Sequence, residues 1–62
     1  MSVEELNKEQ KIILKGRLLD ERLNETEGRG ASYGELAMAD ELITDEDLFA
    51  EYSGVDFVEE DF

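Results

Sequence analysis

The stretch NKEQKIILKGRLLDERLNET (Asn7–Thr26) decides the fold. Placed on a helical wheel, Ile12, Gly16, Leu19 and Leu23 fall in one narrow stripe, and Leu14 and Leu18 form a second about a third of a turn away. Between the stripes lie Lys8, Lys11, Lys15 and Arg22, so four of the six basic residues share one face flanked by leucines. The spacing predicts a long helix. Two capping boxes compete for its start, Ser2-Val3-Glu4-Glu5 and Asn7-Lys8-Glu9-Gln10. It should run to about Thr26, where Gly28-Arg29-Gly30 breaks it.

Lysine and arginine stems on such a face can cover the leucines while their charges meet carboxylates of later helices or of the tail. The alternative is a small phosphate-binding strip. Gly16 in an apolar stripe costs about 1 kcal/mol of helix propensity relative to alanine. A close approach of another backbone at that point is the expected reason.

Ser32-Tyr33-Gly34-Glu35 is a further capping box, and the LAMADELI that follows is rich in helix formers, so a second helix is expected over 33–43. Thr44 caps a third, short helix with Asp45, Glu46 and Asp47 in its first turn, where the helix dipole favours anions. Gly54 ends that helix in the C′ role. Leu36, Met38, Ala39, Leu42 and Ile43 on the second helix, with Leu48, Phe49 and Tyr52 on the third, supply the rest of a small core. The fold expected is all-α: a three-helix domain, or a helical hairpin with a short third helix, over residues 1–54. Residues 55–62 then form an acidic, extended C-terminal arm.

A chain of 62 residues buries only about 60% of the surface its unfolded form exposes, and most chains this short need a disulfide, a metal or a partner. With no Cys and no His, disulfide frameworks, zinc sites, thiol nucleophiles and imidazole bases are all excluded. No apolar run resembles a signal peptide or a membrane span, so a cytoplasmic location is expected and Asn24-Glu25-Thr26 is read as a chance glycosylation match.

Charge is distributed unevenly. Residues 1–29 hold all six basic residues and seven acidic ones, whereas residues 30–62 hold eleven acidic residues and no basic one. Of the net charge of −12, all but one unit therefore belongs to the second half. It argues against direct contact with nucleic acid or anionic lipid, which need the opposite sign. A positive partner surface is expected, and acidity serving only solubility is the alternative.

Chemical motifs are weak. GRGASYG has glycines at 28, 30 and 34 but Tyr33 where a dinucleotide fingerprint needs glycine, and a helix rather than a strand precedes it. SYGELAMADEL resembles the first helix of a helix-turn-helix unit, yet the helix that would read DNA begins TDED and lacks Arg and Lys. A calcium loop starting at Asp45 would place Phe49 at its fifth position and Ala50 at its sixth, where an oxygen ligand and glycine belong. Paired carboxylates can perform acid–base chemistry, but only in a pocket that so small a core can hardly enclose. No cofactor, no metal and no enzymatic activity are expected.

The acidic half itself is the candidate site. Carboxylates three or four residues apart on a helix are about 5–6 Å apart, close to the spacing of neighbouring phosphates. In this general composition the chain resembles small acidic inhibitor proteins that act as DNA mimics, many of them encoded by phages. Its ending, VDFVEEDF, is similar to the C-terminal tip of bacterial single-stranded-DNA-binding proteins, although Asp61 replaces the proline usual before the last Phe. That resemblance implies Phe62 as an anchor in a partner's apolar pocket and Asp56, Glu59, Glu60 and Asp61 along a basic ridge. An arm folded back to place Phe57 and Phe62 on the core is the alternative. The candidate contact residues are thus Asp45, Glu46, Asp47, Glu51, Asp56, Phe57, Glu59, Glu60, Asp61 and Phe62. The expected function is that of a small acidic module binding a basic protein surface, an inhibitor of a nucleic-acid-handling enzyme. The alternative is a structural helical subunit or homodimer.

Overall fold

The computed structural model describes residues 1–58 and Glu60. Its element order is a 3-10 turn at Val3–Glu5, then α1 (Lys8–Glu27), α2 (Tyr33–Ala37), α3 (Ala39–Leu42) and α4 (Asp45–Glu51). The fold is all-α, with no strand among the described residues.

Of the two boxes, the second starts α1. The Gln10 amide donates to Asn7 Oδ1 at 2.9 Å and the Asn7 amide to Gln10 Oε1 at 3.0 Å, which satisfies two donors that a helix start leaves open. Ser2 heads only the 3-10 turn, and its hydroxyl reaches Glu5 Oε1 at 3.3 Å. Gly28 closes α1 in the left-handed region (φ 67°), its amide donating to Asn24 O at 3.1 Å. The same reciprocal box starts α2 (Ser32 with Glu35) and α4 (Thr44 with Asp47). After α4 the chain turns through Ser53 and Gly54, with the Val55 amide donating to Tyr52 O at 3.1 Å. Gly54 has φ 80° and lies one residue beyond the C′ position expected of it, because Tyr52 is the C-cap.

The single helix expected over 33–43 is two short helices broken at Met38, whose φ and ψ are −98° and 6°. Its amide is shared between the carbonyls of Gly34 (3.2 Å) and Glu35 (3.1 Å). The bend re-aims the chain so that Ala39 and Ile43 become buried with Leu18 and Leu19. Leu36, Met38 and Leu42, all expected in the core, are exposed as a result. Burying Ala39 at the start of α3 and Ile43 at its C-cap outweighs the uninterrupted hydrogen-bond ladder that propensity alone favours.

Two buried clusters lie along α1. One joins Leu14 to Val3, Leu6, Leu48 and Phe57; the other joins Leu18 and Leu19 to Ala39 and Ile43. Tyr52 packs against both, so α4 holds the two ends of the core together. No helix among the described residues is long and apolar enough to cross a membrane.

Gly16 is buried, but not because a backbone approaches it: a Cβ built there would meet only the side chain of Leu36, at 3.5 Å. The tight approach is at Gly30, where a Cβ would stand 3.0 Å from Asp20 Oδ1. That oxygen accepts from the Ala31 amide at 2.7 Å and ties the loop to α1. Gly16→Ala should therefore stabilise the fold by about 0.5–1 kcal/mol. A rise in melting temperature of a few degrees is the expected readout in a thermal circular-dichroism scan. A fall would mean that Leu36 cannot yield.

Candidate partner-binding surface

The basic face of α1 turns inward. Lys15 is only 5% exposed, and its Nζ is 2.7 Å from Asp40 Oδ1 and 2.7 Å from Asp45 Oδ1. Asp40 lies in the first turn of α3 and Asp45 in the first turn of α4, so one ammonium ties both helices to α1. Hydrogen bonds to Asp40 and then Asp45 hold the Lys15 ammonium above the usual lysine value. The same contact holds the Asp45 carboxyl below its ordinary value. Lys11 lies over the Phe49 ring, 5.3 Å from its centroid, and Arg22 stands 3.9 Å from Asp47 Oδ1. The stems-and-carboxylates reading of this strip thus matches the geometry. Lys8, Lys11 and Lys15 do line a hollow of about 310 Å³, but Asp40 and Asp45 line it too and take the place a phosphate would need.

The ten candidate contact residues divide sharply. Asp45 is bound to Lys15. Asp47 spends its carboxylate on the α4 cap, accepting from the Thr44 amide at 3.3 Å, and that bond lowers its pKa. Asp56 accepts from the Met1 amine at 2.7 Å, although its side chain stays solvent-exposed. Phe57 is buried in the core, its ring edge-on to Tyr52 at 5.6 Å between centroids. Its amide donates to Met1 O at 2.7 Å while the Met1 amine donates to its carbonyl at 2.8 Å. The arm is therefore folded back through Phe57, and a partner could reach that ring only by opening it.

Glu46, Glu51 and Glu60 remain exposed. Glu59, Asp61 and Phe62, including the proposed anchor, lie outside the described residues. Glu41, in the first turn of α3, is exposed as well. At the loop between α1 and α2, Arg29 bridges Glu27 (2.8 Å) and Glu35 (2.7 Å), and the Glu35 carboxyl is lowered to about 2 by Arg29 and by the Ser32 amide. Among the described residues no group of three or more carboxylates is placed to hold a metal ion. No protein-family model matches the chain, and neither a curated protein nor a solved structure is significantly similar to it.

Proposed function

We propose that this protein is a small acidic interaction module, acting in the cytoplasm, that binds a basic surface of a partner protein and competes there with nucleic acid. The observation that carries this reading is the internal use of the cations. Lys15, Arg22 and Arg29 each face carboxylates of the same chain, while residues 30–62 contribute no base to offset Glu41, Glu46, Glu51 and Glu60 at the surface. An exposed field of one sign steers a partner of the other and orients it on approach. The role is one of binding rather than catalysis, and the nearest description is an inhibitor of a nucleic-acid-handling enzyme in the manner of a DNA mimic.

The test is capture of partners from the native host, followed by affinity measurement on the purified pair. Affinity should fall at least about tenfold between low and moderate salt, because at moderate salt exposed charges farther apart than a Debye length of about 10 Å are largely screened from one another. Added DNA or RNA should displace the module. Glu46→Gln combined with Glu51→Gln should weaken binding without altering helicity. A partner whose affinity ignores salt and nucleic acid would overturn the reading and make the chain an accessory subunit.

A further inference from the structure

The Met1 nitrogen makes two donations at once, to Asp56 Oδ1 at 2.7 Å and to Phe57 O at 2.8 Å. The Phe57 amide donates to Met1 O at 2.7 Å, so residues 1 and 57 exchange both backbone bonds, as in the hydrogen-bonded pair of two antiparallel chains. The Met1 side chain also packs against the cluster that holds Phe57. Asp56 sits beside this exchange with its side chain 85% exposed, held to the molecule by the amine. Its hydrogen bond keeps the amine above the ordinary value of 8.0, with burial opposing and the Glu5 charge adding to it, so the amine is charged at neutral pH.

Two acceptors are satisfied because an ammonium carries three N–H groups and a full charge. An acetyl group on the same nitrogen removes the charge and leaves a single N–H on a planar amide. One N–H does not serve both acceptors. The Phe57 carbonyl keeps it, because the reciprocal bond from the Phe57 amide holds the two backbones in register. The Asp56 carboxylate is the contact that is lost, since it is already at the surface and water replaces its partner at little cost.

We propose that the Met1 amine is a modification site at which acetylation releases Asp56 and adds its carboxylate to the exposed ones that meet the basic partner. The acyl donor is a thioester. The unprotonated amine attacks its carbonyl, a C–N bond forms as the C–S bond breaks, and the departing sulfur takes the proton that the nitrogen gives up. The fold sets the timing. Asp56 follows Met1 by 55 residues, so the amine is open while the chain is being made and is held once the arm has folded back. The consequence for binding rests on the proposed function, whereas the release of Asp56 rests on the geometry alone.

The full chain is prepared by peptide synthesis with a free and with an acetylated amino terminus, each with Asp56 and with Asp56→Ala, and isotope-labelled at residues 56 and 57. Acetylation should move the Asp56 resonances to unstructured-chain positions while the Phe57 amide stays protected from hydrogen exchange, and should lower the melting temperature by a few degrees. In Asp56→Ala the same acetylation should change melting by no more than about 1 °C, because the acceptor it deprives is already gone. Decalysine at low salt should bind the acetylated chain about two- to fivefold more tightly, the worth of one exposed ion pair. Unchanged Asp56 resonances, or an equal melting shift in Asp56→Ala, would overturn the proposal and leave the acidic module standing. Loss of Phe57 protection would overturn it too, since the amine would then hold the whole arm. Released Asp56 with unchanged decalysine affinity would overturn the link to binding. Failure of decalysine to bind either form would overturn the acidic module and not the release of Asp56.

Discussion

Phe57→Ala should cost about 3 kcal/mol, near the low end of what removing a buried aromatic ring costs. For a domain of this size that is most of the stability a single core supplies, so the variant should be largely unfolded or should melt about 15 °C or more below the parent. The reason is position. Phe57 joins Val3, Leu6, Leu14 and Leu48 in one cluster and meets Tyr52 edge-on, and Tyr52 in turn touches the second cluster. Losing the ring leaves a cavity at the point where the amino-terminal turn, α1 and α4 meet, and neither the turn nor the seven-residue α4 is stable alone. Val58→Ala is the control: Val58 is exposed, and its truncation should stay within about 0.5 kcal/mol. Thermal and urea unfolding followed by circular dichroism measure both. Equal melting of the two variants would show that the arm does not close the core.

Lys15→Ala is expected to cost about 2 kcal/mol, less than the full cost of breaking a buried ion pair because Asp40 and Asp45 are half exposed and can rehydrate. Part of that loss is packing by the stem, so Lys15→Met should recover roughly half of it. The ion-pair share has a pH signature. Asp45 is lowered below 3.8 in the folded chain, so its contribution is present above 3.8 and is lost as pH falls through the folded value. Lys15 is raised above 10.5, so its contribution is present below 10.5 and is lost as pH rises through the folded value. Glu35, lowered to about 2 from 4.5, steepens the same acid limb independently. Urea midpoints measured from about pH 2 to pH 7 should therefore fall on the acid side in the parent and fall less in Lys15→Met, leaving the shares of Glu35 and of Asp47 on its Thr44 cap. Identical acid limbs would mean the Lys15 contacts contribute nothing beyond packing.

Much of this architecture is legible in the residues. Side-chain oxygens at Asn7, Ser32 and Thr44 satisfy helix amides within three residues of themselves, so those starts are local and need no tertiary partner. Gly28 is likewise a local stop, since its left-handed φ suits a residue without Cβ. The inward use of the lysine strip was legible too, because a charge between two leucine stripes has to be neutralised where it lies.

The break at Met38 was not legible, nor was the close approach at Gly30 instead of Gly16. Both depend on how two short helices cross α1, which is set by the volumes of Ala39, Ile43 and Leu36 against Leu18, Leu19 and Gly16. Of the candidate site, composition gave the sign of the surface but not its free members. Asp45, Asp47 and Asp56 are as acidic in sequence as Glu46, Glu51 and Glu60, and only their positions beside Lys15, the Thr44 amide and the Met1 amine take them out of play.

By itself the sequence determined an all-helical chain, its helix starts and an acidic second half, because capping, periodicity and charge act over a few residues. Tertiary structure alone decided that Phe57 turns inward, that one helix becomes two, and that Leu36 packs over Gly16. Those outcomes follow from burial summed over residues far apart in the chain, which no local pattern records.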